Sequence, residues 1–175
     1  TKAFNNFVKA VQKHGSSITV PSVGDRFTVG SASCRVLGVN STDDTNESSI
    51  VLRITYGNTS FMFTGDAERE VEEALINRGA PLSSTVLKVG HHGSYTSTSY
   101  AFLWHVMPQY AVISCGQDNE YGHPHDAPII RLDKADVKLF RTDLMGSIVV
   151  VTNGQDLAFF LETRNTELNG YESAA

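Results

Sequence analysis

Three short segments hold most of the residue types in the second half of the chain that could bind a metal ion or move a proton. They are Thr64-Gly65-Asp66, Gly90-His91-His92-Gly93-Ser94 and Gly122-His123-Pro124-His125-Asp126. Neutral imidazole is the commonest side-chain metal ligand, and a mixed imidazole and carboxylate set suits borderline cations such as zinc, with manganese or iron next. The glycines around His91 and His92 let the backbone approach a metal or phosphate closely, and a pair so flanked is hard to explain by packing. Adjacent side chains diverge on extended backbone, so one of the two is expected to bind metal and the other to orient it or face a substrate. Pro124 biases His123 toward extended backbone, where residues i and i+2 face the same way. His123 and His125 can then converge on one site.

Each segment also has a plainer explanation. Asp66 is a good helix cap, and taken alone that is the stronger reading. The two histidines of the second loop could be solvated imidazoles, and Asp126 could cap the helix that follows His125. Ser94, Thr96 and Ser97 precede a helix, so they either cap it or, with its first amides, hold a phosphate. His14, in the last turn of a helix, and His105, in a helix closed by Pro108, read as structural. It is the three loops together that are specific.

The elements that must position these residues follow from periodicity. Phe4, Phe7, Val8 and Val11 fall at i, i+3, i+4 and i+7, a first amphipathic helix closed by Gly15. Short strands are predicted at 18–20, 26–29 and 33–39, and the polar stretch 40–48 reads as an exposed loop. Residues 49–56 and 59–64 form a hairpin about Gly57-Asn58. Strand then alternates with helix: helices at 67–78, 99–107 and 127–135, strands at 85–89, 110–114 and 137–140. Residues 147–151 and 157–161 make a second hairpin about Asn153-Gly154. The fold class is therefore α/β (α+β), with the three loops at the C-terminal ends of strands, the usual rim for sites in such sheets.

Five stretches, NESSIVLRITYG, FMFTGDAEREVEEALI, VLKVGHHGSYTSTS, AVISCGQDNEYGHPH and LFRTDLMGSI, closely resemble the second half of the hydrolase domain of ComEC-type competence proteins, in the metallo-β-lactamase superfamily. TGD, HHGS and YGHPH occur in that family's order. The resemblance implies an αββα sandwich with a two-metal site at one edge of the sheets. Asp66 would bridge two divalent cations (Zn or Mn), His92 would complete one coordination sphere and His123 the other, and His91 and His125 would be substrate-facing or orienting groups. It further implies a metal-dependent phosphodiesterase or nuclease that degrades one strand of incoming DNA, in an extracytoplasmic domain of a membrane-embedded bacterial protein. A choline-phosphate esterase or lactonase of the same superfamily is the nearest alternative, since ligands do not set the substrate.

The superfamily's H-x-H-x-D-H cluster is absent, and His123–His125 is the only H-x-H. The expectation is a partial, N-terminally truncated domain over 1–162 with a polar, disordered tail at 163–175. Such a chain would bind fewer cations or none, and a non-catalytic remnant is the alternative from a different class. Loss of a layer would also expose apolar surface, with a partner chain or homodimer to cover it.

Composition bounds these readings. At 175 residues and 41% hydrophobic, the chain suits one ordinary domain. No apolar run approaches the ~20 residues of a membrane span, so the chain itself is expected to be soluble. A net charge of -5 argues against a module that coats nucleic acid through many phosphate contacts. Two cysteines, Cys34 and Cys115, make no disulfide framework.

Overall fold

The computed structural model describes residues 2–39, 49–162 and 172–174. The loop expected at 40–48 and most of the tail expected at 163–175 lie outside the described residues. In chain order the elements are α1 (Lys2–Lys13), β1 (Arg26–Val29), β2 (Ala32–Val39), β3 (Ile50–Tyr56), β4 (Thr59–Phe63), α2 (Arg69–Asn77), β5 (Val86–Lys88) and α3 (Tyr100–Val106). They continue with β6 (Tyr110–Ile113), α4 (Asp126–Lys134), β7 (Lys138–Arg141), α5 (Thr142–Met145), β8 (Ile148–Thr152), β9 (Leu157–Leu161) and β10 (Glu172–Ala174).

Strands β1 to β7 form one sheet in sequence order, antiparallel from β1 to β4 and parallel from β4 to β7. The switch falls where the sequence changes from hairpins to strand–helix alternation, because parallel neighbours need a crossover element. A second, antiparallel sheet has the order β10-β9-β8. The period of two along each strand separates two cores. Met62, Leu87, Ala111 and Ile113 face one way, against Val71 and Leu75 of α2, Phe102, Leu103 and Val106 of α3, and Leu132 of α4. Their neighbours Phe61, Val86, Tyr110, Val112 and Phe140 face the other way, against Ile148, Val150, Leu157 and Phe159 of the small sheet. Phe140 and Phe159 stack at 4.2 Å with planes 4° apart. The result is helices on a mixed sheet on a second sheet, an α+β sandwich.

Some expectations change. Residues 18–20 are not a strand, and Ile18 and Val20 are exposed; apolar β-branched residues alone do not make a strand without a neighbour to pair with. Helix α1 has no buried residue. The outward residues of β8, Val149 and Val151, are exposed. No helix among the described residues is long and apolar enough to cross a membrane.

Candidate metal centre

The three loops meet at the C-terminal rim of β4, β5 and β6, and two glycines set how closely. A Cβ on Gly90 would lie 2.9 Å from the Ala67 carbonyl oxygen and 3.2 Å from Thr64 Oγ1, so this residue lets the histidine loop pack on the Asp66 loop. A Cβ on Gly93, whose φ is 82°, would lie 2.7 Å from Pro124 Cβ, where the histidine loop meets the third loop. Hydrogen bonds fix the contacts: the His91 amide donates to Gly65 O at 3.1 Å, and the His125 amide to Gly93 O at 2.9 Å.

Asp66 is not the cap of α2. That helix begins at Arg69 behind Glu68, and the Arg69 amide donates to Thr96 O of the histidine loop at 3.1 Å. Its carboxylate is thereby left to the rim, where Oδ1 lies 3.5 Å from His92 Nε2. His91 and His92 form a tight turn with φ of 43° and 53°, left-handed backbone that is uncommon for residues other than glycine and that clusters at functional sites. The turn points the two rings apart. His91 Nδ1 is buried and lies 2.8 Å from Glu68 Oε1 without the geometry of a hydrogen bond. His92 Nδ1 donates to Ser114 O at 2.6 Å, so the neutral ring carries its lone pair on Nε2.

His123 closes the cluster, its ring centroid 5.6 Å from that of His91 and 6.3 Å from that of His92. Asn119 holds its backbone, accepting from the His123 amide at 3.0 Å and donating to its carbonyl at 2.5 Å. Burial first, and then the imidazoles of His125, His91 and His92, lower the His123 pKa against the pull of Asp66. The His123–Pro124 bond is cis rather than part of a plain extended run. His125 is the N-cap residue of α4, with Asp126 in its first turn rather than capping it. The His125 ring lies 4.9 Å from His123, and its Nδ1 accepts the Tyr95 amide at 3.1 Å. The neutral ring therefore carries its proton on Nε2.

Ser94 and Thr96 do not cap α3. Ser99 does, accepting from the Phe102 amide at 3.2 Å. Ser94 is buried with its hydroxyl 2.8 Å from that of Thr96, so each already has a partner within the loop. Beneath them lie residues the sequence reading passed over. Glu72, 2% exposed, accepts the amides of Thr98 and Ser99, the latter at 2.9 Å. Arg131, 9% exposed, donates to Ser97 O at 2.6 Å, Thr98 O at 2.7 Å and Tyr95 O at 3.0 Å. Glu72 sits beside Val71 on the stripe completed by Leu75, and a carboxylate on a buried stripe was the available signal. Lys88 donates to Val89 O at 2.9 Å. Burial lowers its pKa while Asp66 and then Cys115 pull it back up.

The donors can be tested against a divalent ion. Asp66 Oδ1 and His92 Nε2 face each other at 3.5 Å, an ion pair when the imidazole is protonated and two lone-pair groups when it is neutral. Two donors on one tetrahedral ion with bonds near 2.1 Å sit about 3.4 Å apart. The pair fits such an ion, as does the buried His91 Nδ1 without an aligned partner. Among the described residues, no three His, Cys, Asp or Glu side chains converge closely enough to form a ready cation site.

Fold and rim together define a mixed-sheet α+β domain with an imidazole and carboxylate cluster where its strands end. No family model matches the chain. It is 35% identical over 143 residues to ComE operon protein 3 of Bacillus subtilis, covering 81% of this chain and 18% of that protein. It is 45% identical over 106 residues to competence protein ComA of Neisseria gonorrhoeae (60% of this chain, 15% of that protein). Recombination protein 2 of Haemophilus influenzae is 36% identical over 105 residues (60% and 13%). These homologues are ComEC-type competence proteins, and the chain spans less than a fifth of the length of each.

Proposed function

We propose that this chain is part of a metal-dependent phosphodiesterase or nuclease, of the metallo-β-lactamase superfamily, that acts on a strand of DNA during uptake by a membrane-embedded competence protein. The observation that carries the metal reading is the facing pair of an imidazole and a carboxylate, His92 Nε2 and Asp66 Oδ1, 3.5 Å apart at the rim. The competence names of the homologues support DNA as substrate. So does a row of rings, Tyr95, His125, His123 and Tyr121, with neighbouring centroids 5.2, 4.9 and 5.8 Å apart. Both tyrosines are well exposed, and exposed aromatic faces beside a phosphodiester site can stack unpaired bases.

In this reading Asp66, His92 and His123 hold divalent cations, zinc or manganese. A bound cation of this kind supplies Lewis acidity and makes water acidic enough to attack an ester near neutral pH. The chain's own residues do the positioning. Ser114 O fixes the ring of His92 and Glu68 holds that of His91. His125 presents a proton on Nε2 to whatever occupies the rim, and Lys88 places positive charge close to Asp66.

The partial ligand set favours a second reading, a domain that keeps the fold and binds partners without catalysis. A protein that includes this domain at full length should cleave single-stranded DNA with added manganese or zinc, and Asp66→Ala should abolish it. Cleavage that survives Asp66→Ala removes the role given to Asp66. No divalent ion bound and no ester hydrolysed, by the full-length protein, would favour the non-catalytic reading.

A further inference from the structure

Strand β6 ends its pairing with β7 at Ile113↔Arg141. The next peptide, Ser114–Cys115, lies beyond the ladder, yet both its polar groups are engaged. Its carbonyl, on Ser114, accepts from His92 Nδ1 at 2.6 Å. Its N–H, on Cys115, donates to Thr142 Oγ1 at 2.9 Å, and the same hydroxyl donates to the Cys115 carbonyl at 2.8 Å. One threonine side chain thus continues the sheet by one residue. The turn behind it is also tied down: Arg141 clasps Asp143 through Nε at 3.1 Å and Nη2 at 2.5 Å. Burial, with Asp143 beside it, pushes the Cys115 thiol up to about 11, so it stays protonated.

We infer that Thr142 is a positioning residue for His92, acting through the Ser114–Cys115 peptide. A peptide whose N–H is donated to a good acceptor has a more polarised carbonyl, and hydrogen bonds in such a chain strengthen one another. A carbonyl held on the Nδ1 side fixes the ring's orientation and tautomer and leaves Nε2 as the metal-facing atom. Without the Thr142 hydroxyl the peptide can rotate, and the Nδ1 proton loses its fixed acceptor. Thr142 itself touches neither a cation nor a substrate.

The test uses the whole chain with 15N-labelled histidine and three variants. Thr142→Val removes the hydroxyl at constant shape, Thr142→Ser restores it, and Thr59→Val removes a buried threonine hydroxyl from the hairpin at the other end of β4. Long-range 15N–1H spectra at pH 8 read the tautomer of His92 without any metal. The expected result is an Nδ1-protonated ring in the native chain, Thr142→Ser and Thr59→Val, and a tautomer mixture in Thr142→Val alone. Zinc titration of the same proteins should show affinity about tenfold lower in Thr142→Val; only this second readout rests on the proposed metal role of His92. An unchanged tautomer in Thr142→Val, or the same mixture in Thr59→Val, overturns the inference. A native chain that binds no zinc counts against the metal reading, and the tautomer still decides the role of Thr142.

Discussion

Arg131→Met tests whether the histidine loop is held from below, as the geometry requires. The guanidinium donates to three carbonyls of one loop at 2.6, 2.7 and 3.0 Å and is 9% exposed. Bonds from a charged donor contribute roughly 1.5–3 kcal/mol each, which bounds the gross loss near 5–9 kcal/mol. Removing the charge also removes its own burial cost, so the net loss should be smaller, about 3–5 kcal/mol. For a chain of this size that is roughly 6–20 °C in Tm. Urea unfolding followed by far-ultraviolet circular dichroism measures it directly. Arg131→Lys keeps the charge but cannot span three carbonyls, so it should recover only about half. A loss below about 1 kcal/mol, or full recovery by lysine, would refute the loop-clamp account.

Two further outcomes follow from the same framework. Glu72→Gln leaves one carbonyl oxygen for the two amides of Thr98 and Ser99, an expected loss of about 1–3 kcal/mol at neutral pH by urea unfolding. Burial raises the Glu72 pKa above its ordinary 4.5, against hydrogen bonds from Ser99 and Thr98 that lower it. The folded chain then binds the extra proton, so this residue's contribution is full below about 4.5 and declines as pH rises through the raised value. Glu72→Gln should lack that decline when stability is measured from pH 4 to 8. Gly93→Ala would drive a methyl to 2.7 Å from Pro124 Cβ at a φ of 82°, lowering stability by about 2–3 kcal/mol. Gly122→Ala, with a φ of 68° and nothing within 4 Å, should lose only about 1 kcal/mol in the same thermal melts.

What the sequence made legible was what short-range physics controls. Alternation and turn residues located nearly every strand, and glycine-flanked histidines after apolar strands located the rim. Sites that depend on a distant partner were read less well. Asp66 looked like a cap because the Thr96 carbonyl that serves α2 lies 30 residues further on. Ser94 and Thr96 looked like caps or phosphate ligands because nothing local shows that they bond to each other or that Ser99 is the cap. Residues 18–20 had strand composition and no strand beside them. The rim's support, Glu72, Arg131 and Thr142, is held by contacts 26 to 36 residues apart in sequence, which no local window can show.

The left-handed turn gives the clearest separation of a functional histidine from a packing one. His92 is half-exposed with φ 53°. Its bond to Ser114 O contributes about 0.5–1.5 kcal/mol, while left-handed backbone costs an L-residue roughly 1–2 kcal/mol. Glycine removes that cost but adds about 0.5–1 kcal/mol of chain entropy, so His92→Gly should lie within about 1 kcal/mol of the native chain. His92→Ala keeps the backbone cost and loses the bond, so it should be the less stable by about 1 kcal/mol. Both should lose any rise in Tm that zinc gives the native chain, since binding to the folded state alone produces that rise. A packing histidine would give the opposite pattern: glycine worst, alanine intermediate, and the response to zinc untouched. Thermal melts of three proteins with and without zinc distinguish the two. If His92→Gly falls more than about 2 kcal/mol below the native chain, the turn exists for the fold and not for the site.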